Sequence, residues 1–177
     1  MKCLRPDVAC ETLGRIRKSA PTVTISAEPL DAPESRGLLR ALDDYLNGLY
    51  RPEENFLDLP ADDVTGGRGA FLVARQDGVA VGCGAVRRIS PTTAEIKRMF
   101  VTSSARGGGV GGRILAELEA WARSAGMTRL VLEAGDRQEE AIRLYERSGF
   151  VAIPCFGEYA EASLSRCYEK VLGAEAT

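Results

Sequence analysis

The residues with the clearest chemical potential form a glycine-rich segment, RGGGVGG, from Arg106 to Gly112, directly before an amphipathic stretch. Glycine inside a helix costs roughly 1 kcal/mol relative to alanine, so five glycines at a helix start weaken folding unless the bare backbone has a use. A helix N-terminus presents unpaired N–H groups and the positive end of the helix dipole. Arg106 adds a cation that can make two hydrogen bonds to phosphate oxygens. The segment therefore predicts a phosphate-binding loop, with a flexible surface loop that binds no ligand as the alternative.

Two other phosphate loops compete with this interpretation. A Walker loop needs a lysine after its last glycine, and this segment has none. A dinucleotide fingerprint, G-x-G-x-x-G, can be placed on Gly107, Gly109 and Gly112, with Glu133 as the acidic residue that ends the next strand. That fingerprint belongs after the first strand of a domain, whereas three strand-like runs precede it here. A nicotinamide-dependent oxidoreductase is therefore the weaker alternative.

Histidine is absent from the 177 residues, which excludes Ser-His and Cys-His nucleophiles and His-ligated metal sites. Acid–base chemistry must come from Glu, Asp, Tyr, Lys, Cys or water. The five cysteines, at positions 3, 10, 83, 155 and 167, are odd in number and contain no C-x-x-C pair. This pattern argues against a disulfide scaffold or a zinc ribbon and favours a reducing, cytoplasmic setting without a bound metal.

The composition is that of one globular domain. The chain is 45% hydrophobic and 27% charged, and its net charge of -2 gives no general attraction to nucleic acid or to an anionic membrane. No apolar run approaches the roughly 20 residues that a membrane-spanning helix needs. Residues 1–21 are interrupted by charges and contain no signal-peptide core, and we interpret them as an N-terminal arm before a domain of residues 22–177.

Hydrophobic periodicity predicts the order β-α-β-β-β-α-β-α-β-β. Strands are expected at 22–28, on both sides of the Asp77-Gly78 turn within 70–89, and at 93–101, 129–134, 150–156 and 163–172; helices are expected at 33–49, 110–125 and 139–148. The strand, glycine loop, helix and strand of residues 93–134 form a crossover unit, which implies parallel pairing, whereas the hairpins imply antiparallel pairing. The predicted fold class is α/β with a mixed sheet.

Three motifs in order resemble the GNAT superfamily of acyl-CoA N-acyltransferases. Arg106 to Gly111 fits its pyrophosphate loop, R-x-x-G-x-G. The preceding AEIKRMFV resembles its fourth strand, and AIRLYERSGF, residues 141–150, resembles its A-x-x-L-Y-x-x-x-G-F motif. The matched core runs from about 94 to 153. The resemblance implies a single mixed, mostly antiparallel sheet with helices on both faces.

The resemblance also implies that acetyl-CoA is the co-substrate and lies where the fourth and fifth strands separate. Its pantetheine arm would pair with the fourth strand, and its pyrophosphate would lie on the glycine loop. The implied cofactor-binding residues are Met99, Phe100, Val101, Arg106, Gly107, Gly108, Gly109, Val110, Gly111, Gly112, Gln138 and Tyr145. Among these residues Gln138 departs from the family pattern, which often has Asn at this position.

The family's chemistry assigns three candidate catalytic residues. Tyr145 falls on the position whose hydroxyl protonates the departing coenzyme A thiolate. Glu95 lies where the histone-acetylating branch has its general base, although it could instead be a solvated strand residue paired with Lys97 or Arg98. Glu133, at the end of the fifth strand, is the second candidate base, and either would act through a water.

The acceptor site is expected between two segments that resemble those of small bacterial acetyltransferases, LYRPEENF and PCFGEYAEASLSRCYEK. Its polar lining is predicted as Tyr50, Glu54, Arg137 and Tyr159, with Arg137 able to hold a carboxylate. The predicted function is direct acetyl transfer to a primary amine of a small amino-acid-like molecule or polyamine. Peptide or protein acetylation and a CoA-binding regulatory domain without transfer are the alternatives, and a homodimer is left open.

Overall fold

The computed structural model describes residues 21–173, which form one seven-stranded sheet with three helices. The strands are β1 (Val23–Ala27), β2 (Gly69–Gln76), β3 (Val79–Arg88), β4 (Thr93–Val101), β5 (Arg129–Gly135), β6 (Val151–Ile153) and β7 (Ser165–Val171); the helices are α1 (Pro33–Asn47), α2 (Val110–Ser124) and α3 (Glu139–Arg147). The order of elements is the one that the periodicity predicts. The expected arm, residues 1–21, lies almost entirely outside the described residues, so the domain boundary stays a prediction.

The sheet has the order β1-β2-β3-β4-β5-β7-β6, and β4 with β5 is its parallel pair. The remaining neighbours pair antiparallel. The glycine loop and α2 make the crossover between the parallel strands, as a connection between parallel neighbours requires. The expectation of a single mixed, mostly antiparallel sheet is confirmed.

Helices cover both faces of the sheet because the strands alternate apolar residues toward two cores. On one face, Leu38 of α1 packs with a buried cluster that includes Phe71 and Val73 of β2. On the other face, Ile114 and Leu118 of α2 join the larger core cluster, against which the apolar side of α3 also packs. The site described below lies where these layers meet.

The parallel pair β4–β5 separates after four residues. The paired register runs from Thr93–Arg129 to Ile96–Leu132 and then stops, although β4 continues to Val101. A register irregularity in the β3–β4 ladder coincides with a positive φ of 59° at Arg98. This left-handed conformation costs a non-glycine residue roughly 1–2 kcal/mol. Arg98 also pairs with Asp43 of α1 at 2.6 Å, which helps to hold the strained turn.

One cysteine pair differs from the expectation. Cys155, just after β6, is disulfide-bonded to Cys167 of β7, with their Cα atoms 5.0 Å apart. The spacing of twelve residues forms no local motif, and only the antiparallel pairing of β6 with β7, Ile153 opposite Cys167, brings the two together. The bond is a single bridge rather than a disulfide scaffold, and the cysteine pattern alone did not indicate it.

None of the helices in residues 21–173 is long and apolar enough to cross a bilayer. The same residues contain no cluster of three or more His, Cys, Asp or Glu side chains arranged to hold a metal ion.

Candidate active site

The glycine loop turns the chain from β4 into α2 with its backbone bare. Gly107 and Gly109 have φ of 76° and 77°, which glycine adopts without strain. Gly109 is the residue before the first turn of α2, so the N–H groups that follow it begin the helix without helical partners. Those groups and the helix dipole make this end of α2 an anion site.

A cleft of about 450 Å³ runs from this loop to α3 along the last residues of β4, with which β5 no longer pairs. It is lined by every expected cofactor residue except Gly108: Met99, Phe100, Val101, Arg106, Gly107, Gly109, Val110, Gly111, Gly112, Gln138 and Tyr145. Leu144 of α3 packs close to the start of α2, since a methyl group on Gly111 would lie 3.3 Å from the Cδ2 atom of Leu144. The backbone of α2 therefore has little room for side chains where the cleft ends.

Arg106 is held at the edge of this cleft by three contacts. Its Nε donates to the carbonyl of Val101 at 3.1 Å, its Nη1 lies 3.7 Å from Glu140, and the guanidinium stands 5.1 Å from the ring centre of Tyr45. The Glu140 pair is exposed enough that an incoming phosphate can replace it at small cost. The cation is thus positioned beside the helix end that would receive an anion.

Tyr145 of α3 lies where the large cleft meets a second, smaller pocket, and it lines both. Its side chain is buried, with 5% of the residue exposed. Burial raises the pKa of the Tyr145 hydroxyl above its usual value, and the negative charge of Glu133 acts in the same direction. The phenol therefore keeps its proton at physiological pH and can donate it.

The second pocket, of about 60 Å³, includes Tyr145 but none of the glycine-loop residues. Its polar and charged lining is Lys97, Arg98, Glu133, Gln138, Tyr145 and Tyr159. A third pocket, of about 50 Å³, shares Glu133 and Gln138 with it and adds Tyr50, Glu54 and Ser165. Glu133 therefore faces both small pockets, next to the tyrosine that faces the cleft.

The surroundings of the Glu133 carboxyl suit a group that accepts a proton. Burial raises the pKa of its carboxyl above the usual range, and the hydrogen bond from Ser165 and the charge of Lys97 oppose that shift. The hydroxyl of Ser165 donates to Oε1 of Glu133 at 2.6 Å. One carboxylate oxygen is thus fixed, while the side chain still borders the pockets.

Glu95 occupies a different environment, with only 2% of the residue exposed. Nε of Arg87 donates to Oε2 at 2.7 Å, and the hydroxyl of Tyr159 donates to Oε1 at 2.6 Å. The expected solvated pairing with Lys97 or Arg98 is not found, because Lys97 donates to Tyr159 and Arg98 pairs with Asp43. Glu95 lines none of the three pockets described here.

Three of the four residues expected around the acceptor line the small pockets, and Arg137 does not. Tyr159 lines the second pocket, and Tyr50 and Glu54 line the third. The hydroxyl of Tyr50 accepts the backbone N–H of Arg137 at 2.6 Å, so this tyrosine also has a structural role. Arg137 itself is exposed and lines none of the three pockets; its Nη1 donates to the carbonyl of Leu49 at 2.6 Å.

Sequence reasoning missed Lys97 and Ser165 as site residues. Lys97 donates to the Tyr159 hydroxyl at 2.9 Å and lies on the same face of β4 as Glu95. Because side chains alternate between the two faces of a strand, their spacing of two residues could have indicated this. Ser165 reaches Glu133 because β7 pairs antiparallel with β5, which places Ser165 opposite Gly135 and Cys167 opposite Glu133. No local pattern reveals that register.

Comparison with known proteins agrees with this geometry. The model of the Acetyltransferase (GNAT) family matches residues 36–150. The IAA acetyltransferase of Azospirillum brasilense is 41% identical over 157 residues, which cover 86% of this chain and 99% of that protein. The uncharacterized N-acetyltransferase YsnE of Bacillus subtilis is 29% identical over 75% of this chain and 90% of its own length.

One solved structure closely resembles this fold. It is that of a candidate acyl-CoA N-acyltransferase from Klebsiella pneumoniae, which superposes with a TM-score of 0.73 at 33% identity and covers 85% of this chain and 98% of its own. The family match spans the glycine loop, the separated strands and the A-x-x-L-Y motif. The chain therefore belongs to the GNAT acetyltransferase family and is an acetyl-CoA-dependent N-acetyltransferase.

Proposed function

We propose that the protein transfers an acetyl group directly from acetyl-CoA to the primary amine of a small, amino-acid-like molecule or polyamine. The observation that carries this proposal is the position of Tyr145, between the 450 Å³ cleft and the small pocket that contains Glu133. A thioester laid along β4 would bring its carbonyl to this junction. An acceptor in the small pockets would meet it from the other side.

In the proposed cleft, the coenzyme is held by backbone rather than by side chains. The N–H groups at the start of α2, with Arg106, hold the pyrophosphate. Between Met99 and Val101, the edge of β4 that β5 leaves unpaired hydrogen-bonds the pantetheine arm. Separation of β4 from β5 is what leaves these backbone groups available. Acetyl-CoA is the co-substrate, and it supplies the activated acetyl group.

The transfer requires removal of a proton from the ammonium of the acceptor. Glu133, through a water, takes this proton, and the neutral amine attacks the thioester carbonyl. The tetrahedral intermediate expels the thiolate, which receives the proton of the Tyr145 hydroxyl. The second N–H proton passes through a water to the Tyr145 oxygen and restores the phenol, and Glu133 gives its proton to solvent. The products are the acetamide, free coenzyme A and one proton released to solvent.

We assign the base to Glu133 rather than to Glu95. Glu133 borders both small pockets, and burial raises the pKa of its carboxyl above the ordinary value of a glutamate, which favours proton uptake. Glu95 is buried and already accepts hydrogen bonds from Arg87 and Tyr159. Its proposed role is to position Tyr159 in the wall of the acceptor pocket.

The character of the pockets supports a small acceptor that carries both charges. Their volumes, about 60 and 50 Å³, leave room for a compact group. Glu133 attracts an ammonium. Lys97 and Arg98 add positive charge to the second pocket, and a substrate carboxylate there would share them with their present partners Glu158 and Asp43. Arg137 does not line these pockets, so the proposed carboxylate contact moves away from it.

The decisive experiment measures coenzyme A release from acetyl-CoA with a panel of acceptors. The panel holds amino acids, their decarboxylated amines, polyamines, short peptides and IAA, which appears in the name of the 41% identical relative. Turnover of an amino acid above that of its decarboxylated amine supports an amino-acid-like acceptor, and highest turnover of polyamines supports the polyamine form of the proposal. Turnover of peptides alone would move the function to peptide acetylation, and coenzyme binding without any transfer would indicate a regulatory domain.

A further inference from the structure

We propose that Cys155 and Cys167 form a reversible dithiol/disulfide pair that fixes the acceptor side of the site, so that the oxidised protein binds its acceptor more tightly than the reduced one. This inference rests on the proposed function for its effect on catalysis, but not for its effect on structure. The pair is bonded in the structure, and no step of acetyl transfer uses it. Its position relative to Tyr159 and Glu133 carries the argument.

The disulfide closes a segment, residues 155–167, that supplies one wall of the acceptor pockets. Tyr159 of this segment lines the second pocket, and Leu164 and Ser165 line the third. Most of residues 154–164 are outside the sheet, since β6 ends at Ile153 and β7 begins at Ser165. A covalent closure at both ends restricts the conformations open to such a segment.

The contacts that hold Tyr159 of this segment against the sheet enter the site. The Tyr159 hydroxyl donates to Glu95 at 2.6 Å and accepts from Lys97 at 2.9 Å. Its ring packs edge-on against Phe56 at 4.9 Å and Phe156 at 5.4 Å between ring centres. Loosening the segment therefore disturbs Tyr159 before it disturbs the core.

The other end of the segment holds the proposed base. Ser165 donates to Glu133 at 2.6 Å, and Cys167 lies directly opposite Glu133 in the β5–β7 ladder. The disulfide thus anchors the segment beside the strand position that presents Glu133. The acetyl-CoA cleft, by contrast, takes none of its lining from residues 154–167.

The redox step is a two-electron exchange with a small thiol such as glutathione. Its thiolate attacks the sulfur of Cys155, which is half-buried, and releases Cys167, which is buried, as a thiolate that takes a proton from water. A second small thiol then attacks the mixed disulfide. The balance is protein disulfide plus two small thiols giving two protein thiols plus one small-molecule disulfide, and oxidation is the reverse.

The bond is tested by peptide mapping of the full-length protein equilibrated at increasing ratios of reduced to oxidised glutathione. After alkylation of free thiols, trypsin cuts after Arg166, so Cys155 falls in residues 148–166 and Cys167 in residues 167–170. The proposal expects these two peptides to be linked under oxidation and separately alkylated under reduction of the native protein. Absence of the link, or reduction only after denaturation, would overturn it.

The structural effect is tested by hydrogen–deuterium exchange on the same two preparations. Reduction should speed exchange in residues 155–165 and leave residues 106–112 unchanged. Equal exchange of both segments in the two forms would overturn the proposed fixing of the wall. This result does not depend on any acceptor, so it separates failure of the redox proposal from failure of the proposed function.

The functional effect is tested with the acceptor that the panel above gives the highest rate, with coenzyme A quantified by chromatography because reductant reacts with thiol dyes. Reduction should raise the acceptor KM several-fold and leave the acetyl-CoA KM unchanged. Cys155→Ser should have the high acceptor KM in both buffers. Cys83→Ala is the matched control, since Cys83 is a buried free thiol elsewhere in the core, and it should keep the redox response. An acceptor KM that ignores the redox state of wild-type protein would contradict the proposal.

Discussion

At the residue scale, the same physical cause gives Tyr145 and Glu133 opposite uses. Burial disfavours the charged form, so it raises the pKa of both groups. For Tyr145 the result is a phenol that stays protonated well beyond neutral pH, so that a proton is present when the thiolate leaves, although the phenol is a weaker acid than an ordinary tyrosine. For Glu133 the result is a carboxylate that accepts protons more readily once the pH exceeds its raised pKa. We therefore expect the rate of acetyl transfer to begin to fall, as the pH is lowered, at pH values above the range in which an ordinary glutamate titrates.

Replacing Tyr145 by Phe removes one hydroxyl and little volume. The rate of transfer should fall by about 10²–10⁴-fold, which is the usual contribution of a general acid. Binding of acetyl-CoA and the melting temperature should stay close to wild type, since the ring keeps its packing with Phe150. Single-turnover kinetics at saturating acetyl-CoA measures the change. An unaffected rate would assign protonation of the thiolate to water.

The base assignment is tested by comparing Glu133→Gln with Glu95→Gln over pH. Glu133→Gln should lose most activity near neutral pH and recover toward pH 9–10, roughly, because an amine with a pKa near 10.4 then loses its proton unaided. Glu95→Gln should show no such recovery, since it disturbs Tyr159 rather than proton removal. Recovery in Glu95→Gln alone would return the base to that residue.

Stability separates the same two variants. A raised folded-state pKa means that the Glu133 carboxylate is less favourable in the folded than in the unfolded chain, so stability is lost as pH rises from the unfolded to the folded pKa. At neutral pH, Glu133→Gln should therefore retain or raise the melting temperature. Glu95→Gln should lower the free energy of unfolding by about 1–3 kcal/mol, because it weakens hydrogen bonds from Arg87 and Tyr159 in a buried site. Urea unfolding measures both.

At the element scale, the glycine loop has a built-in comparison. Gly109 and Gly67 share the same φ of 77°, and a methyl group on either would meet nothing within 4 Å. Alanine at either site should thus cost a similar strain of about 1–2 kcal/mol. Only Gly109→Ala places that methyl at the cleft and the start of α2, so it should weaken acetyl-CoA binding by calorimetry while Gly67→Ala should not. Equal loss of affinity in both would mean that strain alone matters.

A second element-scale prediction concerns the end of β5. A methyl group on Gly135 would overlap the ring of Tyr50, whose hydroxyl receives the N–H of Arg137. Gly135→Ala should destabilise the fold by about 1–3 kcal/mol through overpacking. It should also raise the acceptor KM, since Tyr50 lines the third pocket. Gly37→Ala, at a helix position with open space, is the control and should show neither effect.

At the scale of the whole molecule, binding of acetyl-CoA joins parts that are far apart in sequence. The cleft draws on β4, the glycine loop, α2 and α3, so its occupation should stabilise the entire domain. At a hundredfold excess over Kd the gain is about 2.7 kcal/mol, which corresponds to roughly 5–11 °C in melting temperature for a chain of this size. Thermal scans with acetyl-CoA, NADH and ATP measure it. Equal stabilisation by NADH would contradict the assignment of this cleft to acetyl-CoA.

The sequence by itself determined what local chemistry dictates. Periodicity predicted the seven strands and three α-helices of the described chain, and the glycines of 107–112 indicated a backbone that bends and can accept an anion. The run A-x-x-L-Y-x-x-x-G-F likewise placed Tyr145 on a helix after the fifth strand. Each of these depends on residues a few positions apart, where spacing alone fixes geometry.

The tertiary structure decided everything that depends on register between distant strands. Glu95 and Glu133 look equivalent in sequence, yet pairing with Arg87 buries the first, while separation of β4 from β5 leaves the second beside the pockets. Arg137 seemed suited to a carboxylate, but its hydrogen bond to Leu49 holds it outside the pockets. Cys155 and Cys167 meet because β6 and β7 are paired. Burial and partners set the role of each ionisable or thiol group, and only the folded chain supplies them.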